Sequence, residues 1–226
     1  MKPIFIDGDY PEIMRTNIDR KSANEGRTFS RLPKFTDEQK AFVRGTSDFL
    51  ALSYYSSGMV APLSDLPGSN LADSDSEIWG DVNRVAWEQA KSEWLFSVPE
   101  GLHDHLVWIK NNTNNVKVYI TENGFSDEPM QTNDTGRERY LDNHLAAISR
   151  AINVEGCNVQ AYTVWSLVDN FEWMMGYTER FGIFAIDFDD ETKTRVEKKS
   201  VQLFKDLIPK RWFESQWVYK PYVRNI

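Results

Sequence analysis

The sequence is poor in the residues that serve redox chemistry, metal binding or passage through a bilayer. A single cysteine, Cys157, stands among 226 residues. That excludes an internal disulfide framework and leaves the redox compartment open. The three histidines, His103, His105 and His144, form no cluster with cysteine or carboxylates at metal-ligand spacing, so no metal site is expected. His103 and His105, two apart on a helical stretch, cannot face one another. No Gly-rich loop of the dinucleotide-binding type occurs, and no cofactor is expected. No apolar run approaches the roughly 20 residues needed to span a bilayer. Met1-Lys2-Pro3-Ile4-Phe5 does not open an apolar stretch of the signal-peptide kind. Positive charge is also short. Lys and Arg number 26 against 34 Asp and Glu, a net charge of -8 that argues against nucleic acid or an anionic membrane surface as partner. No internal repeat or low-complexity segment is present.

What is present fits one substantial domain over residues 1–226, long enough to build its own core. Hydrophobic content of 41% with a mean hydropathy of -0.53 describes an ordinary soluble chain. Aromatic residues are plentiful, and they serve a large core or present flat faces to sugar rings. Two Asn-x-Thr triplets, Asn111-Asn112-Thr113 and Asn133-Asp134-Thr135, fit the glycosylation acceptor pattern and lean toward a secreted parent.

From about Thr36 the pattern alternates helix and strand. Thr36 with Gln39 predicts a capping box, and Gly45 can close the helix that follows. Phe49 to Tyr55 reads as an extended apolar segment. A polar loop with Pro62, Pro67 and Gly68 leads to a segment bearing Trp79, Trp87 and Trp94. Pro99 opens a helix with Leu102, Leu106 and Ile109 on one face. A buried-type strand runs from Val116 to Thr121. Thr135 with Glu138 predicts a second capping box, ahead of an amphipathic helix marked by Leu141, Leu145, Ile148 and Ile152 that stops near Gly156. Val159 to Ser166 reads as another buried strand, and Gly182 to Phe188 as part of a hairpin turning at Asp189-Asp190-Glu191. Val201, Phe204 and Ile208 mark a last helix. Short apolar strands joined through helices predict parallel strands buried on both faces, hence an α/β fold.

In such folds chemistry sits at the strands' C-terminal ends. Tyr55, Glu122 and Trp165 all fall there. Val118-Tyr119-Ile120-Thr121-Glu122-Asn123-Gly124 delivers one carboxylate to the end of a buried strand and then turns. A Glu so placed among Tyr and Trp residues is what a retaining glycosidase needs as nucleophile. Thr121 and Asn123 are read as orienting the turn, Tyr54 as facing the opposite side from Tyr55, and His144 as satisfying a local hydrogen bond.

At these residues the chain closely resembles the family 1 glycoside hydrolases, the β-glucosidase group, and its animal members in particular. The landmarks run along nearly the whole chain. They are Gly8-Asp9-Tyr10-Pro11 with Met14, Glu25-Gly26-Arg27 with Ser30-Arg31-Leu32-Pro33, and Ile120-Thr121-Glu122-Asn123-Gly124. Tyr140-Leu141 with His144, Trp165-Ser166-Leu167, Asp169-Asn170-Phe171-Glu172-Trp173, Gly176-Tyr177 and Arg180-Phe181-Gly182 complete the set. The resemblance implies that Glu122 is the catalytic nucleophile and that Tyr55 donates a hydrogen bond to it. It further implies that Glu172 grips sugar hydroxyls, the Trp173 indole donates another hydrogen bond, Trp165 floors the sugar ring and Phe181 closes the wall. Ser53 departs from the family, which usually has Asn there, and receives no role.

The family's acid/base Glu lies in a Thr-x-Asn-Glu-Pro motif, and no such motif occurs here; Asn24-Glu25 is followed by Gly26. By resemblance the chain is the C-terminal part of a (β/α)8 TIM barrel, roughly the last three strand-helix units, not closed on its own, with an exposed edge at its first strand. The expected substrate is an unphosphorylated β-glucoside or oligosaccharide. The expected partner is an N-terminal barrel half or a second copy covering the open edge. Two functional classes stay open: a retaining β-glycosidase part that is weak or inactive alone, and a non-catalytic carbohydrate-binding or interaction protein on the same fold. A secreted or digestive-lumen setting is favoured over the cytoplasm.

Overall fold

In the computed structural model, residues 1–62, 78–80, 87–210 and 215–220 are described. Pro67 and Gly68 lie outside them, as does the Trp79 side chain. The elements in chain order are α1 (Lys2–Phe5), α2 (Glu12–Asn24), α3 (Asp37–Val43), β1 (Leu50–Ser53), β2 (Val60–Pro62), β3 (Ile78–Gly80), α4 (Pro99–Asn112), β4 (Val118–Glu122), α5 (Thr135–Asn153), β5 (Val159–Tyr162), β6 (Phe184–Ile186), β7 (Arg195–Glu197) and α6 (Val201–Lys210). They divide into two units. One comprises Met1–Phe49, Gly58–Val85 and Ile109–Val116; the other comprises Leu50–Ser57, Ala86–Trp108 and Lys117–Ile226.

The first unit holds the short helices. The Thr36 hydroxyl accepts from the Gln39 amide while the Gln39 side chain accepts from the Thr36 amide, so the predicted capping box forms at α3. Gly45 follows that helix with φ +78° and donates to the Ile4 carbonyl. Sequence pattern alone had not marked α1, α2 or the antiparallel pair β2–β3. Helix α2 buries only Ile18 and Ser22, too few apolar positions to announce a helical face.

The second unit contains the parallel sheet in the order β1-β4-β5. Among the described residues this sheet stays open, with β1 and β5 at its edges. The intervening helices bury the predicted stripes. Leu102 and Leu106 of α4 are buried, as are Tyr140, Leu141, His144, Leu145, Ala147, Ile148 and Ala151 of α5. The core at the strands' C-terminal side gathers Leu95, Phe125, Tyr140, Leu141, Phe181, Ile183 and Val201. Strands β6 and β7 form the predicted hairpin around the Asp189-Asp190-Glu191 turn. Helix α6 forms where expected, although Ile208 is 69% exposed.

One predicted cap does not form. Thr135 is already the first residue of α5, and the N-cap position belongs to Asp134. The Asp134 carboxylate turns inward instead, accepting from the Ser200 amide at 2.9 Å, the Ser200 hydroxyl at 2.6 Å and the Arg137 guanidinium at 2.7 Å. Glu138 meanwhile pairs with Lys199 at 2.7 Å. Charge-assisted bonds in a buried setting outcompete the neutral capping pattern.

Those bonds belong to a buried charge network. Arg137 also pairs with Asp127 at 2.7 Å and donates to the carbonyls of Phe125 at 2.9 Å and Arg180 at 2.6 Å. Lys198 bridges Asp127 and Asp169, each at 3.2 Å. Three carboxylates thus share two cations. Consistently, burial outweighs both cations at Asp127 and holds its carboxyl above the usual range. Removing one partner of such a network leaves uncompensated buried charge, which typically costs about 3–5 kcal/mol. Arg137→Ala is expected to lower unfolding free energy by that order in urea titration, whereas the exposed pair Lys205–Glu197 should tolerate Lys205→Ala within about 1 kcal/mol.

His144 adds a second stability term. Its Nδ1 lies 2.8 Å from the Tyr140 carbonyl, an acceptor only, so the ring proton sits on Nδ1. Burial pushes the imidazole down from 6.5 to about 3. Between those values the unfolded chain takes up a proton that the folded chain refuses, so stability falls as pH drops below about 6.5. The slope from this one group is at most about 1.4 kcal/mol per pH unit. In His144→Phe that component should vanish, read as a smaller difference in urea midpoint between pH 7 and pH 5 than in the parent.

Candidate active site

The site forms where β1, β4 and β5 end. Beyond Ser53 the chain continues extended, so Tyr54 and Tyr55 point to opposite sides. Tyr54 is buried and donates its hydroxyl to the Val98 carbonyl at 2.8 Å, as a structural residue would. Tyr55 faces the other way and donates to Oε2 of Glu122 at 2.9 Å. Burial pushes the Tyr55 phenol well up, and the neighbouring Glu122 pushes it further. The hydroxyl therefore keeps its proton at neutral pH and serves the carboxylate purely as a donor. The Tyr55 ring is held edge-on by Trp94 at 5.7 Å and Phe181 at 6.0 Å between centroids.

The loop after β5 brings the remaining residues. The Trp165 amide donates to the Asn123 carbonyl at 2.8 Å, tying this loop to the residue next to Glu122. The Trp165–Ser166 peptide bond is cis. The Trp165 indole donates to Oε1 of Glu172 at 3.3 Å. Glu172 is buried, and that burial raises its carboxyl; Trp165 and Asn170 oppose the shift, while Glu179 and Asp169 add to it. Phe181 is buried in the core beneath Tyr55. Tyr55, Glu122, Trp165, Glu172 and Phe181 are thus joined by hydrogen bonds, ring contacts or shared core. Trp173 extends from the same loop with its side chain 83% exposed. Ser53 is exposed, 3.3 Å from the Thr121 hydroxyl.

Pattern reading had given Asn123 only a turn-orienting part and had not singled out Tyr140 or Tyr162 for the site. Asn123 is fully buried. Its amide donates to the Tyr54 carbonyl and the Tyr140 hydroxyl, each at 2.8 Å, and its oxygen accepts from the Tyr162 hydroxyl at 2.9 Å. One available signal was the pairing of polar-tipped Tyr140 with His144 one helical turn on, within an otherwise apolar stripe.

Gly124 is required by close approach. A Cβ there would lie 1.8 Å from the Trp165 carbonyl oxygen, a backbone atom that cannot rotate aside. Gly124→Ala is expected to destabilise by about 1–3 kcal/mol, as overpacking does. A lowered melting temperature with altered tryptophan fluorescence would report the displaced Trp165.

Parallel strands joined through helices, with a carboxylate–phenol pair at their C-terminal ends, are the arrangement expected of part of a (β/α)8 barrel with its site at the strand ends. The chain belongs to glycosyl hydrolase family 1, whose profile matches residues 1–213. It is 38% identical to the human cytosolic beta-glucosidase over 217 residues, covering 95% of this chain and 45% of that protein. With myrosinase 1 of Brevicoryne brassicae it shares 42% identity over 206 residues, covering 91% of this chain and 44% of that protein. The solved structure of aphid myrosinase superposes with a TM-score of 0.79 at 39% identity, over 92% of this chain and 44% of that one. The chain therefore spans a little under half the length of these relatives and corresponds to the C-terminal part of their barrel. No helix among the described residues is long and apolar enough to cross a membrane.

Proposed function

We propose that this chain is the nucleophile-bearing portion of a retaining β-glycosidase. The observation that supports it most is the 2.9 Å hydrogen bond from Tyr55 to the strand-end carboxylate of Glu122. In this reading a Glu122 oxygen attacks the anomeric carbon, the bond to the leaving oxygen breaks, and water later releases the sugar from the ester. Glu172 accepts hydrogen bonds from sugar hydroxyls in this reading, and an acidic side chain there disfavours a phosphate, which favours unphosphorylated β-glucosides and related oligosaccharides. Trp165 floors the ring, Phe181 closes the wall and Trp173 donates its indole hydrogen.

The leaving oxygen still needs a proton. The sequence holds no Thr-x-Asn-Glu-Pro motif to supply the general acid, and losing that acid typically costs about 10² to 10⁴ in rate. The partner in this proposal is an N-terminal barrel portion, or a second copy, laid against the β1 edge. The single-domain organisation of 1–226 belongs to the same proposal. The two Asn-x-Thr triplets favour a secreted or lumenal setting. A second reading, a non-catalytic sugar-binding or interaction protein, draws on the exposed row Leu167, Phe171, Trp173 and Met174.

A glucoside with a 2-fluoro substituent and a dinitrophenolate leaving group separates the two readings. That leaving group departs without a proton, so the missing acid does not block the first step, and the fluorine slows release of the ester. Mass spectrometry is expected to find one fluoroglucosyl group on the peptide containing Glu122, none in Glu122→Gln, and slower labelling in Tyr55→Phe. An unlabelled Glu122 despite saturating reagent would leave the binding protein as the better reading.

A further inference from the structure

We infer that Tyr140, on the neighbouring helix α5, is a positioning residue for the Tyr55–Glu122 pair; the inference rests on the catalytic reading of Glu122. The pairing of β1 with β4 shifts register between Leu52 and Ser53, and β1 ends at Ser53. The Tyr54 amide still reaches the Glu122 carbonyl at 2.9 Å. Tyr55 lies one residue beyond that bond, where side chains take over from the ladder. The Tyr140 hydroxyl donates to the Tyr55 carbonyl at 2.7 Å. The same hydroxyl accepts from Asn123, whose other amide hydrogen goes to the Tyr54 carbonyl.

One phenol thus fixes the backbone of Tyr55 and the side chain immediately after Glu122. It is held rigidly while doing so. Tyr140 is fully buried, stacks on His144 at 3.8 Å and packs 5.1 Å from Phe125. Tyr162 completes the arrangement by donating to the remaining acceptor of Asn123, so each of the three polar side chains has its partners. A hydroxyl in this place tunes the reaction through geometry, since the hydrogen bonds it makes go to the Tyr55 carbonyl and the Asn123 amide and not to the Glu122 carboxylate.

The test reads the carboxyl carbon-13 resonance of Glu122 at neutral pH in protein labelled at the glutamate carboxyls, with Glu122→Gln assigning it. Removing a hydrogen-bond donor from a carboxyl oxygen displaces that resonance. Tyr55→Phe is expected to displace it, and Tyr140→Phe to displace it in the same direction by a smaller amount. The double variant should match Tyr55→Phe alone, because Tyr140 acts through Tyr55. A wild-type resonance in Tyr140→Phe, alongside a displaced one in Tyr55→Phe, overturns the inference while leaving the nucleophile reading intact. An undisplaced resonance in Tyr55→Phe removes both. Should Tyr140→Phe not fold, Tyr162→Phe replaces it. That variant deletes only the donor to Asn123 and is expected to give a smaller displacement in the same direction; no displacement again overturns the inference.

Discussion

The site depends on a guanidinium that never touches it. Arg137 is fully buried and binds Asp127, Asp134 and two backbone carbonyls, those of Phe125 and Arg180. Phe125 follows β4 three residues after Glu122, and Arg180 precedes Phe181 in the loop after β5. One planar cation therefore sets the spacing between the two loops that supply the proposed nucleophile and the aromatic wall. Lysine could not substitute, because a point charge lacks the fork of fixed donors that meets carboxylates and carbonyls together. Lys198 extends the clamp to Asp169, whose two oxygens accept from the amides of Gly182 and Ile186. The loops carrying Glu172 and Phe181 are thus pinned by buried charge as well as by short β-bridges, such as the paired backbone hydrogen bonds between Asp127 and Arg180.

The strand-end residues were legible for a simple reason: period and position suffice. β4 is a short buried strand that ends in a carboxylate, and α5 is a long stripe of apolar residues at helical spacing. Both patterns report burial directly, and burial is what apolar residues record. Tyr55 was legible by the same rule, since alternation puts it opposite a buried Tyr54. The Asn123–Tyr140–Tyr162 cluster was not legible. Its members come from a turn, a helix and a strand, and their meeting depends on how α5 lies over the sheet. Polar groups that satisfy one another in a core leave no periodic trace. The same limit explains Thr135. The local spacing to Glu138 matched a capping box, but Asp134 had a partner 66 residues away at Ser200, which no local window contains.

The short elements show a different failure. Helix α2 was missed because its apolar residues do not fall on one face; Ile13 and Met14 are exposed while Ile18 is buried. Its contacts are instead polar and specific, such as Arg15 donating to the carbonyls of Leu32 and Pro33. Landmarks of this kind were visible only as family resemblance, since a hydrogen bond from an arginine to a distant loop carbonyl is not a hydropathy signal. β2 and β3, three residues each, are below the length at which alternation can be distinguished from chance.

These observations separate two tasks that a glycosidase must perform. Among the described residues, the Tyr55 donor to Glu122, the Asn123 and Tyr140 bonds behind it and the Arg137 clamp all lie within the second unit. In the proposed reading the geometry around the nucleophile is set by residues of this unit. Protonation of the leaving group is the other task, and the sequence holds no Thr-x-Asn-Glu-Pro motif to perform it. The exposure of Trp173 at 83% and Met174 at 99% follows the same division. These side chains sit on the rim of the loop after β5, facing away from the core that Phe181 and Trp165 complete. Adjacent large apolar side chains so exposed mark a surface that a ligand or partner covers. In the proposed enzyme a bound sugar and the rest of the barrel do so together. Binding of substrate and closure of the barrel would then be coupled through one surface, with the nucleophile preformed on one side and the acid arriving from the other.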